Sequence, residues 1–246
     1  MFDDLTDVYE AMTDWNIRLG NEKPFYGDLF AESDTQRVLD VACGTGRHAA
    51  MFHSWGLQVE GSDVSPQMIA RAREKFGEPA GLRWVVRGFE EPIELDTPFD
   101  AVICVGNSLA LAGDMAAVEQ AVRNMLTAVR HNGLVILHVV NLWRLDDGPC
   151  HWQKCKVATL EWGDVLIIKG VHRSGSTGYL DLIVTQLDAP AGMWNESLPF
   201  LGIEAGELEQ VARRAGASNV RFFGGYNDQS YDREKSVDLI LVGEKS

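Results

Sequence analysis

Short apolar runs alternate with longer amphipathic segments between residues 38 and 140. The runs have the length of strands and the segments have the period of helices, an alternation typical of a parallel sheet covered by helices. Five strands are predicted, at residues 37–42, 57–61, 82–86, 99–105 and 134–140. The pattern therefore predicts a doubly wound α/β core.

Two helix starts in this region carry clear capping signals. Ser65 precedes Pro66, so a hydroxyl can cap the helix and proline occupies its first position. Asp114 is predicted to cap a second helix that runs to about Arg130 and stops at Asn132-Gly133 in a left-handed conformation.

The pattern changes after residue 141. The pattern is typical of β strands joined by turns at residues 157–161, 165–171 and 179–187. It predicts an antiparallel meander that is inserted as a lid after strand five. A helix is predicted at 204–215, followed by strands at 220–223 and 237–242. We expect one domain, comprising an N-terminal arm (1–34), a core (35–142), the lid (143–197) and a C-terminal part (198–246).

Charge and composition narrow the class of protein. The chain has 246 residues and a net charge of −14, which argues against a general nucleic-acid binder, because phosphate contacts need lysine and arginine. Its apolar runs are far shorter than a membrane span, its acidic start has no secretory core, and its four cysteines are too few for a disulfide scaffold. A cytoplasmic protein without nucleic-acid or membrane partners is expected.

A glycine-rich turn follows the first strand. Gly44-Thr45-Gly46 lies between strand and helix, where missing Cβ atoms let a ligand approach the backbone. Asp63 ends the second strand, where a carboxylate can accept hydrogen bonds from both hydroxyls of a ribose. Together these features predict a nucleoside site.

The turn alone does not identify the nucleoside, since residues 44–49 also satisfy the G-x-G-x-x-A dinucleotide pattern. Asp40, inside the first strand, discriminates between the two. Its negative charge is unfavourable beside a pyrophosphate and favourable beside a cationic ammonium or sulfonium group. The alternative is that Asp40 only bridges neighbouring backbone.

The segment from the acidic strand to the Gly-x-Gly turn resembles the first motif of class I S-adenosylmethionine-dependent methyltransferases. The resemblance implies a Rossmann-like seven-stranded sheet with an antiparallel final strand, and S-adenosyl-L-methionine as cofactor. It also implies positions for seven cofactor contacts besides Asp63. These are Asp40, Ala42, Gly44 and Gly46 on the methionyl side, and Val64, Gly88 and Phe89 around the adenine. Phe89 is equally well read as a core residue.

Two further segments resemble the glycine and sarcosine N-methyltransferase-like branch. Asn107, after the fourth strand, corresponds to an asparagine that contacts substrate and cofactor. The stretch from Tyr9 to Tyr26 resembles a cofactor-covering arm, in which Lys23 would pair with the methionine carboxylate and Trp15 would cover the cofactor. Alternatively, Lys23 is a solvated surface lysine, and Tyr9 and Trp15 hold the arm in place.

One departure concerns the acceptor. That branch has an arginine at the end of strand five to bind an amino-acid carboxylate, and Val140 stands there in this chain. Losing such a charge-assisted pair removes roughly 1.5–3 kcal/mol. Glycine itself is therefore not expected as substrate unless Arg144 or Arg18 reaches the same place.

The expected reaction is methyl transfer to a small molecule, at nitrogen rather than oxygen. Tyr9, Asn107 and His138 are the candidate catalytic residues, although His138 can also be read as a satisfied core residue. No metal is expected, because residues 150–155 hold two cysteines and a histidine without a partner pair. An NAD-dependent oxidoreductase and a non-catalytic S-adenosylmethionine-binding protein are the alternatives, and a homo-oligomer is allowed.

Overall fold

The computed structural model describes residues 6–188 and 193–246. The α helices are α1 (Thr6–Met12), α2 (Trp15–Glu32), α3 (Arg47–Ser54), α4 (Pro66–Phe76), α5 (Met115–Ala128) and α6 (Ala205–Arg214). The strands are β1 (Arg37–Asp40), β2 (Gln58–Asp63), β3 (Leu82–Val86), β4 (Phe99–Cys104), β5 (Val129–Val140), β6 (His151–Leu160), β7 (Gly163–Ser174), β8 (Thr177–Gln186), β9 (Met193–Leu201), β10 (Ala217–Phe223) and β11 (Asp238–Lys245).

Seven strands form the main sheet in the order β10-β11-β5-β4-β1-β2-β3. Strands β1 to β5 are parallel, and β11 runs antiparallel to both β5 and β10. The predicted Rossmann-like sheet with an antiparallel end is confirmed. Its strand order reverses between β1 and β4, and such a switch point opens a crevice at the carboxyl ends of the strands.

Both faces of this sheet are covered, so its central strands are apolar on both sides. Val38 and Leu39 are adjacent on β1 and each is fully buried, but they belong to separate hydrophobic clusters. One cluster contains buried residues of α5 and α6, and the other contains residues of α2, α3 and α4. This packing fixes the carboxyl ends of β1, β2 and β4 relative to one another.

A second, antiparallel sheet has the order β6-β7-β8-β9 and is the lid predicted after strand five. Val8 and Met12 of α1 pack against Ile167 and Leu182 of this sheet, so α1 lies under the lid. Strand β9 is not in the sequence prediction. It extends to Leu201, past the boundary placed at 197, because buried Leu198 and Phe200 continue its inward face.

Helix α5 is shorter than predicted. Asp114 caps it, accepting a hydrogen bond from the Ala117 N–H at 2.9 Å, but the helix ends at Ala128 and not near Arg130. Val129 pairs with Phe99 in the sheet, and Arg130 donates to Asp100 at 2.6 Å. Sheet pairing therefore starts before the Asn132-Gly133 stop, although Asn132 does adopt a left-handed conformation with φ +58°.

Helices long and apolar enough to cross a membrane are absent from the part of the chain that the structure describes.

Candidate functional site

The crevice at the switch point is lined by residues that follow or end the parallel strands. Asp40 ends β1 and Asp63 ends β2, so the two carboxylates lie at the same edge of the sheet. Asn107 follows β4 and His138 lies near the end of β5. The fold thus brings together four of the residues that the sequence singled out.

Asp63 organises the glycine turn. Its Oδ2 accepts a hydrogen bond from the Gly44 N–H at 2.8 Å, and its Oδ1 accepts one from the Ser65 N–H at 3.0 Å. Gly44 has φ +52°, and a Cβ placed on it would lie 3.7 Å from the Tyr9 hydroxyl. The backbone of the turn is therefore held by the same carboxylate that is predicted to contact the ribose.

Gly46 is required for packing. It has φ +81°, a conformation that favours glycine, and a Cβ there would lie 2.5 Å from the indole of Trp84. Trp84 therefore packs against this side of Gly46, and the predicted contact of Gly46 with the cofactor stays a prediction.

Asp40 is a buried carboxylate with an unsatisfied oxygen. The side chain is 0% exposed, its Oδ1 accepts only a long bond from the Ala42 N–H at 3.4 Å, and its Oδ2 has no partner. Burial raises the pKa of Asp40 to about 7; the Ala42 N–H opposes this rise, Asp63 adds to it and Arg18 opposes it. A buried acceptor without a donor destabilises the folded protein by about 1–3 kcal/mol, so a site for a donor or a cation is indicated.

Helix α1 covers the turn. Glu10 accepts hydrogen bonds from Thr45 and Arg47, which flank Gly46, and from Lys75 of α4 at 2.8 Å. Although burial favours the protonated form of Glu10, these donors lower its pKa to about 2. The contacts place the partly buried Tyr9 ring next to Gly44. Burial raises the pKa of Tyr9 to about 12, so its hydroxyl keeps its proton at neutral pH.

Helix α2 brings a cation to the crevice. The Arg18 Nε donates to Glu22 at 2.8 Å, and Glu22 also pairs with the His48 Nε2 at 2.5 Å. The remaining side of Arg18 faces the loop after β4, since a Cβ on Gly106 would lie 3.7 Å from its terminal nitrogen. The Arg18 guanidinium also lies over the ring of buried Trp15, whose Nε1 has no partner.

Lys23 is exposed on α2. Its predicted contact with the cofactor stays a prediction, and Arg18 of the same helix is the cation that the structure places at the crevice.

The predicted adenine contacts lie at the ends of β2 and β3. Val64 is 72% exposed, and its side chain lies 3.7 Å from the position of a Cβ on Gly88. Phe89 is partly buried and packs against the core cluster that includes α5. An exposed aliphatic side chain beside a glycine offers a flat apolar surface to a ring. Phe89 instead packs in the core, which is the alternative role that the sequence analysis gave it.

Asn107 and His138 both hold the loop after β4. Asn107 has φ +71°, and its Oδ1 accepts a hydrogen bond from the Val140 N–H at 2.9 Å. The His138 Nδ1 is 3.1 Å from both the Gly106 N–H and the Tyr226 hydroxyl, and its Nε2 is 3.1 Å from Asp238. Both ring nitrogens are engaged, with Nδ1 accepting from Gly106. His138 therefore positions the loop after β4, and its predicted role in catalysis stays a prediction.

The lid adds cations that sequence analysis missed. Lys169 of β7 lies opposite Leu182 and two residues from Ile167 and Val171, which are all buried, so it is on the inner face of the lid. Burial, together with the charges of Lys154 and Arg18, lowers the pKa of Lys169 to about 8. Lys154 donates to the Met12 carbonyl at 2.8 Å, whereas no ion pair among the described residues includes Lys169. Strand alternation, once the register is known, is the signal that identifies this position.

Comparison with known proteins agrees with this architecture. Residues 38–133 match the model of a methyltransferase domain. The chain is 34% identical to a glycine/sarcosine N-methyltransferase of Parasynechococcus marenigrum over 152 residues, 59% of this chain and 52% of the relative. It is also 34% identical to the glycine N-methyltransferase of Homo sapiens, over 54% of each chain. The chain spans about half the length of the curated relatives it matches.

Solved structures extend the likeness over the whole fold. The amino pentose methyltransferase CalS10 from Micromonospora echinaspora, solved with S-adenosylmethionine bound, superposes with a TM-score of 0.73 over 97% of both chains at 22% identity. The methyltransferase CcbJ from Streptomyces caelestis superposes with a TM-score of 0.75 over 92% of this chain and 90% of its own, at 19% identity. Residues 38–133 thus match a methyltransferase domain, and the chain has the fold of these methyltransferase structures, as its sequence predicts.

Proposed function

We propose that the protein is an S-adenosylmethionine-dependent methyltransferase that acts on an amine nitrogen of a small molecule. The observation that carries this proposal is the buried Asp40 carboxylate with its unpartnered Oδ2 at the end of β1. An ammonium or sulfonium group supplies the positive charge that this oxygen lacks, whereas a pyrophosphate would add negative charge beside it. The two relatives and the two solved structures compared above are methyltransferases, which supports this proposal.

The residues present fit the cofactor. Asp40, Ala42 and the Gly44 backbone would hold its methionyl part, Asp63 its ribose, and Val64 with Gly88 its adenine. When bound, the cofactor supplies a methyl group on a positively charged sulfur, a carbon already activated for displacement. The protein's own task is to orient the acceptor and to exclude water.

The charges in the crevice favour an amine acceptor. Neither Tyr9, which keeps its proton, nor His138, whose ring is engaged, is free to act as a base. An oxygen nucleophile would need such a base, whereas an amine that binds in its neutral form does not. The positive charges of Arg18, Lys154 and Lys169 favour this neutral form of a nearby amine.

Lys169 is proposed to bind an anionic group of the acceptor. A lysine on the inner face of the lid, without an ion pair among the described residues, can take the role of the arginine that Val140 replaces at the end of β5. An amine that carries a carboxylate is therefore the acceptor class that the lid fits best.

Release of S-adenosylhomocysteine from a panel of acceptors tests the reaction. The panel pairs each amine with the corresponding alcohol, with and without a carboxylate. We expect turnover with amines and none with the matched alcohols. Turnover restricted to alcohols would contradict nitrogen as the acceptor atom, and release from no acceptor at all would favour a binding protein.

Replacement of Lys169 tests the acceptor's charge. Lys169→Gln should raise KM at least tenfold for carboxylate-bearing amines, because it removes one charge-assisted pair, and should leave kcat within about threefold. Lys156→Gln, a matched change at an exposed lysine on β6, is the control. An equal rise in KM for amines without a carboxylate would show that Lys169 does not bind the carboxylate.

A further inference from the structure

The outer face of the lid, opposite to the face that carries Lys169, has a cluster of three metal-ligating side chains. Cys150 immediately precedes β6, His172 lies on β7 and Asp181 on β8. Gly170 pairs with Asp181, and His172 is two residues from Gly170, so both side chains point to one face of the sheet. This is the face opposite to that of Lys169, Val171 and Leu182.

The three donor atoms converge. The Asp181 Oδ2 lies 2.6 Å from the His172 Nδ1 and 3.4 Å from the Cys150 Sγ, and all three donor atoms lie within 4.8 Å of one another. Each residue is partly buried, so the cluster remains open to an ion from solvent. Residues 150–155 do not contain a complete set of metal ligands. His172 of β7 and Asp181 of β8 complete the set with Cys150.

Neighbouring residues fix the orientation of two of these side chains. The Ser197 hydroxyl donates to the Asp181 Oδ1 at 2.7 Å, which turns the Oδ2 toward Cys150 and His172. The Tyr179 ring stacks on the His172 imidazole with a centroid distance of 4.7 Å and an interplanar angle of 7°. Outer partners of this kind are typical of metal ligands, whose rotamers they hold in place.

Gly170 provides the room for the third ligand. A Cβ at Gly170 would lie 2.6 Å from the Cys150 Sγ and 2.8 Å from the Trp152 ring. Glycine at this position therefore lets the thiol lie against the sheet beside Asp181.

We propose that Cys150, His172 and Asp181 form a binding site for a divalent transition metal of the zinc type. A thiolate, an imidazole nitrogen and a carboxylate oxygen are the three donors that zinc prefers, and a water molecule would complete a tetrahedron. Binding forms bonds from the metal to Sγ, Nδ1 and Oδ2; the thiol proton passes to solvent, and the neutral imidazole keeps its single ring proton on Nε2. The metal would join β6, β7 and β8 on the lid's outer face.

Titration of the full chain, prepared without a histidine tag, with Co²⁺ tests the site. We expect one equivalent to bind with the thiolate-to-cobalt absorption band and the intense visible bands of tetrahedral coordination, and Zn²⁺ to displace it. A wild-type protein that shows no thiolate band would overturn the proposal.

Variants locate the metal. Cys150→Ser should abolish the band and weaken Zn²⁺ binding at least a hundredfold, whereas Cys155→Ser, at the exposed cysteine on β6, should leave both unchanged. Ser197→Ala should weaken Zn²⁺ binding about tenfold. Equal binding by the Cys150→Ser and Cys155→Ser proteins would overturn the assignment.

A measurement on the wild-type protein does not depend on the folding of any variant. Zn²⁺ should slow alkylation of Cys150 by iodoacetamide at least tenfold and leave alkylation of Cys155 unchanged, as followed by peptide mass spectrometry. Equal rates at Cys150 with and without Zn²⁺ would contradict the proposal. None of these readouts depends on methyl transfer.

Discussion

At the scale of single residues, the site combines groups that are unfavourable in isolation. Asp40 is buried with an unpartnered oxygen, and Lys169 is half-buried in the lid with a lowered pKa. Such groups destabilise a folded protein, and they cluster where a ligand compensates them. Tyr26, Tyr226 and His138, in contrast, form a linked set of hydrogen bonds and hold the loop beside them.

Replacement of Asp40 should separate stability from binding. Because burial raises the pKa of Asp40 from 3.8 to about 7, the stability of the wild type falls as pH rises through this interval and stays lowered above it. The asparagine of Asp40→Asn does not ionise. At pH 8 the variant should therefore unfold at a higher urea concentration than the wild type, with a free energy of unfolding larger by on the order of a few kcal/mol. At pH 4 the two proteins should differ little. The same variant should bind S-adenosylhomocysteine roughly tenfold or more weakly. An Asp40→Asn protein that is less stable at pH 8 would contradict this account.

Two cations of α2 can be compared directly. Arg18→Gln should weaken binding of S-adenosylhomocysteine more than Lys23→Gln does, because Arg18 lies at the crevice and Lys23 is exposed. Calorimetric dissociation constants give the comparison, and thermal melts show whether the Arg18 variant, which loses the pair with Glu22, is less stable than the wild type. A larger effect at Lys23 would restore the role that its sequence position predicts.

At the scale of elements, the glycine turn is held from three sides. Asp63 binds its backbone, Glu10 of α1 binds the residues around Gly46, and Trp84 of β3 packs beneath it. Because α1 also packs under the lid, the arm connects the turn to the second sheet. The turn is therefore preorganised before any ligand binds.

The packing of Trp84 predicts the effect of a single methyl group. Gly46→Ala should lower the free energy of unfolding by several kcal/mol, and Tm with it. The added Cβ would lie 2.5 Å from the indole, and the residue would have to keep φ +81°. Gly27→Ala is the matched control in the interior of α2, where a Cβ meets nothing within 4 Å; it should stabilise by about 0.5–1 kcal/mol. A Gly46→Ala protein as stable as the wild type would show that the turn does not depend on this packing.

At the scale of the whole molecule, local patterns predict the sheet and the ends of its strands. Ser65 and Asp114 cap their helices as their side chains predict, and Asp40 and Asp63 lie at one edge because parallel strands end together. Contacts between distant segments leave no local signal.

The residues that sequence analysis missed depend on such contacts. Glu10 meets Thr45 across 35 residues, Glu22 meets His48 across 26, and Cys150 meets Asp181 across 31. Strand β9 was missed for a related reason, because its alternation becomes meaningful only when β8 lies beside it. The inner and outer faces of the lid, with Lys169 on one and His172 on the other, likewise follow from strand register.

The central claim is that the crevice is built for a positively charged nucleoside cofactor and not for a dinucleotide. Isothermal titration calorimetry of the wild-type chain with S-adenosylhomocysteine and, separately, with NAD tests it most directly. We predict one saturable site for S-adenosylhomocysteine, weakened in the Asp40→Asn variant, and no heat of binding for NAD. Saturable binding of NAD, or no binding of S-adenosylhomocysteine by the folded protein, would contradict it.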